Sequence, residues 1–295
     1  MSAGKKSKTI YIIAAVIVVL ALGAYFAVAR GNPQWHWRLY AYQAKNAENQ
    51  RLEPGPAFTG AWNNWEQDGR LVSTYTYRNG KRDGDYVTYN EEGAVVSTGQ
   101  YRNGGFDGIQ KIDRGGGYRT EIVYRDGKLE GTETTWYPNG QIAVQAHYVS
   151  DVMEGPMTAY AENGMIQTVA PYYNGKLEGV VKTFHPDGKV HGEETYRNDE
   201  LNGKSTFYRP DGSLDMVLNY RDGVMDGVQT WYYPDGKSKM KEFTTTLGEP
   251  NGAWKEWNDQ GEQIVDEVYE DGILKLRDGE EVEPLEKQEQ NAEAK

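Results

Sequence analysis

A chain of 295 residues with a net charge of −12 and a mean hydropathy of −0.79 lacks the basic footprint that nucleic acid requires and the apolar content of a large globular core. Glycine and tyrosine are abundant, at 35 and 22 residues, phenylalanine numbers only 6, and cysteine is absent. This composition suits tight turns between strands that show rings to a half-wet surface, and it excludes disulfides, thiolate nucleophiles, zinc–sulfur sites and lipid attachment through an N-terminal cysteine.

The first element in chain order is apolar. Residues 9–29 read TIYIIAAVIVVLALGAYFAVA and carry no charge. A helix of that length rises roughly 30 Å, the thickness of a bilayer core. Lys5, Lys6 and Lys8 stand in the basic tail 1–8 before it. Translocating three lysines and the α-amino group is costly, so the N-terminus is expected in the cytoplasm. Trp35 and Trp37 follow the segment and suit the aromatic belt of the outer interface. A cleaved signal peptide is the alternative, with Ala27-Val28-Ala29 as its A-x-A site, but the run exceeds an h-region of about 7–15 residues. A retained single-pass anchor is therefore expected. Residues 30–56 read as a short juxtamembrane helix, with Asn32 as N-cap and Pro33 at its first position, followed by a Pro54-Gly55-Pro56 linker.

Internal periodicity sets the architecture of residues 57–276. Gly60, Gly84, Gly108, Gly131, Gly155, Gly179, Gly203, Gly227 and Gly252 recur every 24 residues, with one step of 23 and one of 25. Five residues after each stands an aromatic, Trp65, Tyr89, Trp136, Tyr160, Phe184, Tyr208, Tyr232 or Trp257, and only Asp113 breaks the row. A second aromatic row, Tyr77, Tyr101, Tyr124, Tyr148, Tyr172, Tyr196, Tyr220 and Tyr269, closes the units and precedes Asn-Gly or Asp-Gly in most of them. Asn-Gly and Asp-Gly accept the positive φ of a tight hairpin turn. Each unit thus reads as two strands and two turns. A lone hairpin is marginal, so neighbours must pair edge to edge, giving an all-β repeat: an elongated single-layer antiparallel sheet of about nine 24-residue hairpins. About 18 strands at ~4.8 Å would extend ~85 Å. Residues 277–295 hold seven acidic and three basic residues and read as a disordered acidic tail.

These residues resemble the MORN repeat, in its bacterial MORN-like antitoxin form. The resemblance rests on Tyr77-Arg78-Asn79-Gly80-Lys81 with Gly84 and Tyr89, and on Tyr173-Asn174-Gly175-Lys176 with Gly179 and Phe184-His185-Pro186-Asp187-Gly188. It implies a stack of β-hairpins that serves as a scaffold or binding surface, with lipid contact in some members. Combined with the anchor, it implies a bacterial cytoplasmic (inner) membrane location, with the repeat domain in the periplasm or outside. Asp151 and Asp199 stand where the family prefers glycine, and residues 109–117 depart furthest.

Candidate sites follow from the rows. The candidate binding surface comprises Trp65, Tyr89, Trp136, Tyr160, Phe184, Tyr208, Trp231, Tyr232 and Trp257, as a platform for sugar rings or a partner's apolar residues. The structural alternative is that these rings stack on one another and cover the sheet. The irregular unit from Asp113 to Tyr118 is a candidate special contact. Asp83, Asp107, Glu130, Glu154, Glu178 and Asp226, with Asn202 and Asn251, precede the opening glycines. They form either a carboxylate ladder for cations or a basic partner, or a set of turn residues facing water. His36, His147, His185 and His191 form no metal-binding spacing, and no nucleophile or phosphate motif is present.

No cofactor, metal or catalytic residue is expected. The expected function is a membrane-tethered, non-enzymatic scaffold that binds another envelope or membrane protein through the face or edge of the sheet. The alternative is a module for glycan or peptidoglycan that stacks sugars on the Tyr and Trp ladders. A lipid-binding sheet fits poorly with the negative charge.

Overall fold

The structure, a computed structural model, describes residues 53–66 and 68–282. The apolar segment 9–29, the flanking Lys5, Lys6, Lys8, Trp35 and Trp37, and the end of the acidic tail lie outside the described residues. No helix among the described residues is long and apolar enough to cross a membrane.

The described residues form 25 β-strands, paired antiparallel throughout. Nine outgoing and nine return strands make the hairpins that the repeat predicts. Most of the remaining strands are two-residue pieces before an opening glycine, such as Gly105–Phe106 and Val152–Met153. In three repeats such a piece fuses with the outgoing strand, as in Lys81–Tyr89. The ladder continues through Ile273–Arg277 and Glu280–Glu281, so strand pairing runs into the segment read as a disordered tail from 277. The chain divides into two units at Lys128/Leu129. In each, every strand packs mainly on its neighbours in sequence, as a single antiparallel layer.

Within a hairpin the register is constant. The opening glycine faces the second-row tyrosine: Gly60↔Tyr77, Gly84↔Tyr101, Gly179↔Tyr196 and Gly203↔Tyr220. These glycines have positive φ, between 82° and 138° across the nine. The pairing therefore needs the backbone freedom of glycine, and at Gly84 a Cβ would also crowd Thr76 at 3.0 Å. The return strand carries one extra residue before the last pair, a β-bulge. Beyond it each first-row ring pairs with the residue that follows the turn, as in Trp65↔Leu71, Trp136↔Ile142, Tyr160↔Ile166 and Phe184↔Val190. Such cross-strand aromatic–aliphatic pairs contribute about 0.2–1 kcal/mol each.

The turns explain the departures from the family pattern. Asn79, Asn103, Asp126, Asn174 and Asp222 take φ near 50° before a glycine. In the turns Ser150-Asp151 and Asn198-Asp199 both residues are left-handed without any glycine. There the aspartate bridges back to the preceding strand. Asp199 donates its N–H to the Leu177 carbonyl at 3.1 Å, and its Oδ1 accepts from the Leu177 N–H at 2.7 Å. Asp151 repeats this with Leu129 at 3.0 and 2.7 Å.

Candidate functional site

Strand alternation sorts the side chains onto two faces. The first-row rings Trp65 and Tyr89 in the first unit, and Trp136, Tyr160, Phe184, Tyr208, Tyr232 and Trp257 in the second, lie on one face with their cross-strand partners, which are aliphatic except for Lys239 opposite Tyr232 and Gln263 opposite Trp257. All of them are half-buried. Trp231 is adjacent to Tyr232 in its strand and so points to the opposite face, where it stacks on Phe243 at 5.4 Å. The structure thus separates Trp231 from the surface with which the sequence grouped it.

The opposite face carries the second aromatic row, together with the residues two and four after each opening glycine. In the first unit it is a continuous cluster of rings. Tyr75 stacks on Tyr86 at 5.6 Å, Tyr86 meets Tyr101 at 5.3 Å, and Tyr101 meets Phe106 at 4.4 Å. Near the end of the second unit, Phe243 stacks on Trp254 at 4.4 Å, and Trp254 meets Tyr269 at 5.8 Å.

Between Gly131 and Tyr220 this face changes character. The central row holds Glu133, Ala146, Met157, Ala170, Val181, Glu194, Ser205 and Leu218, paired in register across successive strands. Small side chains leave a shallow groove of 280 Å³, whose lining includes Glu133, Val144, Ala146, Tyr148, Met153 and Met157. Burial, and then the Glu133 charge, push the Tyr148 phenol up. Tyr196 and Tyr220 are likewise raised, by burial first and then by Glu194. Neither Glu133 nor Glu194 forms an ion pair among the described residues. Sequence reasoning passed over both carboxylates because the aromatic rows alone were followed. For Glu133 the signal was available, since an acidic residue two after an opening glycine replaces Tyr86 or Val181 of other repeats, whereas Glu194 lies on a return strand and joins the row only through its pairing with Val181.

Acidic residues before the opening glycines are turn staples. The N–H of the first turn residue is held by the carboxylate 20 or 21 positions earlier: Ser150 by Glu130 at 2.9 Å, Asn174 by Glu154 at 2.8 Å, Asn198 by Glu178 at 2.9 Å and Leu247 by Asp226 at 3.2 Å. Asp83 and Asp107 reach theirs at 3.4 Å. Where asparagine replaces the acid, the polarity reverses. Asn202 Nδ2 donates to Asp222 at 2.7 Å, and Asn251 Nδ2 donates to Asp271 at 3.3 Å. Arg78, Arg102 and Arg221 pair with Asp83, Asp107 and Asp226.

In four repeats the residue after the first-row ring ties successive hairpins together. Tyr137 Oη donates to the Tyr160 carbonyl at 2.8 Å, Tyr233 Oη to that of Trp257 at 2.7 Å, and Arg209 Nη2 to that of Tyr232 at 2.5 Å. His185 Nε2 lies 2.8 Å from the Tyr208 carbonyl and its ring meets His191. Among the described residues no group of three or more His, Cys, Asp or Glu is placed to hold a metal. In the irregular unit, Gly115, Gly116 and Gly117, all at positive φ, shorten the loop to a tight hairpin in which Asp113 pairs with Arg119 and Gly115 with Tyr118. Asp113 Oδ1 accepts from the Gly115 N–H at 2.8 Å. Val95, Ile112, Asp113, Tyr118 and Arg119 line a groove of 360 Å³ there.

A model described as "MORN repeat variant" matches residues 129–150, 177–198 and 225–244. Each stretch begins two residues before an opening glycine, so the matches fall on the structural hairpins. No curated protein matches the chain. Among solved structures, the chain is similar to one titled "Crystal Structure of TcdB2-TccC3-TEV", with 10% identity, a TM-score of 0.20, and coverage of 79% of this chain and 14% of that one. Three stretches of the antiparallel β-sheet thus match the MORN repeat variant model.

Proposed function

We propose that this protein is a non-enzymatic repeat scaffold that binds another protein through the tyrosine-lined face of its second unit. The apolar segment 9–29 would tether it to a bacterial inner membrane, with the partner a protein of the envelope. The observation that carries the reading is the change on that face: rings stack on one another elsewhere, but here the ring cluster gives way to a groove lined by Glu133 and, further along the same row, to Glu194 beside Tyr196 and Tyr220. MORN repeats and the extended antiparallel ladder support a scaffold role.

Crosslinking of the full-length protein in its native membrane, followed by mass spectrometry, tests the reading, alongside sedimentation with purified cell wall. A protein captured in stoichiometric yield, without sedimentation on cell wall, is the expected result. Sedimentation without any captured protein would replace the scaffold with a glycan-binding module.

A further inference from the structure

The chain shows on its own tyrosine face how that face receives a cation. In the first unit, the Arg82 guanidinium lies over the Tyr75 ring at 4.1 Å and within 5.5 Å of the Tyr101 ring. Its Nε donates to the Tyr77 hydroxyl at 3.3 Å, and Nη2 pairs with Glu53 at 3.2 Å. Burial opposes its charge, but the hydrogen bonds with Tyr77 and Tyr101 prevail and its pKa is raised. Near the end of the second unit, Lys241 Nζ lies 4.2 Å over Trp254 and 3.5 Å from Glu256. In both places a ring and a carboxylate hold a cation together.

The same register recurs in the middle of the second unit without the cation. Arg82 pairs with Tyr77 across its turn, and the equivalent pairs are Tyr148↔Met153 and Tyr196↔Leu201. Around Met153 stand Glu133, Tyr148 and the groove, and around Leu201 stand Glu194, Tyr196 and Tyr220. The phenols and a carboxylate are present, while the position that holds the guanidinium in the first unit is apolar.

Resting on the scaffold reading above, we infer that these two places are receptor sites for Arg or Lys side chains from a basic, extended segment of the partner protein. The aliphatic stem of such a side chain lies along Ala146, Met153 and Met157, and its charged end meets Glu133 and the Tyr148 ring. The net charge of −12 draws a basic segment toward the surface, and salt weakens the attraction.

The test uses full-length protein and a fluorescein-labelled peptide of alternating arginine and threonine, with an alternating glutamate and threonine peptide as control. Glu133→Gln with Glu194→Gln is expected to weaken binding about tenfold or more, since charge-assisted contacts to both sites are lost. Glu193→Gln makes the same kind of charge change on the opposite face, where Glu193 pairs with Lys182, and is expected to leave binding within about twofold. Met153→Arg with Leu201→Arg copies Arg82 into both sites and is expected to abolish binding while the thermal midpoint holds or rises. Equal binding by the acidic peptide, equal loss in Glu193→Gln, or unchanged binding in Met153→Arg with Leu201→Arg overturns the inference. Crosslinked capture of a protein partner that persists in the Met153→Arg, Leu201→Arg chain removes these cation sites and leaves the scaffold standing. Loss of all partner capture in the unaltered chain removes the scaffold itself.

Discussion

Asp199 occupies left-handed backbone that costs a residue with a Cβ about 1 kcal/mol or more, and its carboxylate bond to the Leu177 N–H returns a similar amount. Asp199→Ala keeps the strain and loses the bond, so it is expected to lower stability by about 1–2 kcal/mol in urea denaturation. Asp199→Gly loses both and is expected to stay within about 0.5 kcal/mol of the unaltered chain. Unchanged stability in Asp199→Ala would contradict the bridge. The amide of Asn202 has a different job, since it donates to the Asp222 carboxylate. Asn202→Asp sets two carboxylates against each other and raises the folded-state pKa of the pair above its unfolded value. Stability then matches the parent below the ordinary carboxylate range and is lost as pH rises through the raised value. Denaturation midpoints for variant and parent should therefore converge below about pH 3 and separate by about 1 kcal/mol at pH 7. The sequence places both residues in turns but not their partners, because a contact 20 residues away depends on register.

Hairpins and turns were legible in the glycine and aromatic periods, since positive φ at Asn-Gly and alternation along strands are local properties; the short pieces that raise the strand number from about 18 to 25 were not. The β-bulge was not, because the extra residue in the return strand is one among several chemically similar ones. Strand alternation alone sets the two aromatic rows on opposite faces and parts Trp231 from its neighbour Tyr232. Polar side chains that complete the ladder were equally hidden. Gln229 is fully buried, with Oε1 accepting from the Asn219 N–H at 2.8 Å and Nε2 donating to the Asn219 carbonyl at 3.0 Å, in a gap between strands. Gln229→Leu keeps the volume but leaves both backbone groups without that partner, and it is expected to cost about 1–3 kcal/mol by chemical denaturation. Gly99 is glycine for a steric reason: a Cβ there would lie 1.9 Å from Gln110 Oε1. Gly99→Ala is expected to cost about 1–3 kcal/mol through displacement of Gln110 from its bond to the Gln100 carbonyl. Restoration of stability by Gln110→Ser in the same chain checks that cause.

Tyrosine dominates the energetics of the ring face and makes the molecule sensitive to alkali. Burial raises Tyr77, Tyr86, Tyr101 and Tyr148 above the ordinary value of 10.0. A raised folded-state pKa means stability that is complete below pH 10 and is lost as pH climbs through the folded values. The thermal midpoint should be flat from pH 7 to about 9.5 and fall above pH 10, in step with tyrosinate absorbance. The sequence announced the two aromatic rows, yet the candidate surface emerged only from pairing. Glu133 and Glu194 are ordinary acids among 44 until register sets each beside a half-buried phenol. The central claim is that this face of the second unit engages a protein. The most direct measurement is photo-crosslinking of the full-length chain in its native membrane, with a photoreactive residue placed at Met157 on the groove and, separately, at Lys182 on the opposite face. The account predicts that the Met157 probe captures one protein in high yield and the Lys182 probe does not. Capture of the same protein from both faces, or from Lys182 alone, would contradict it.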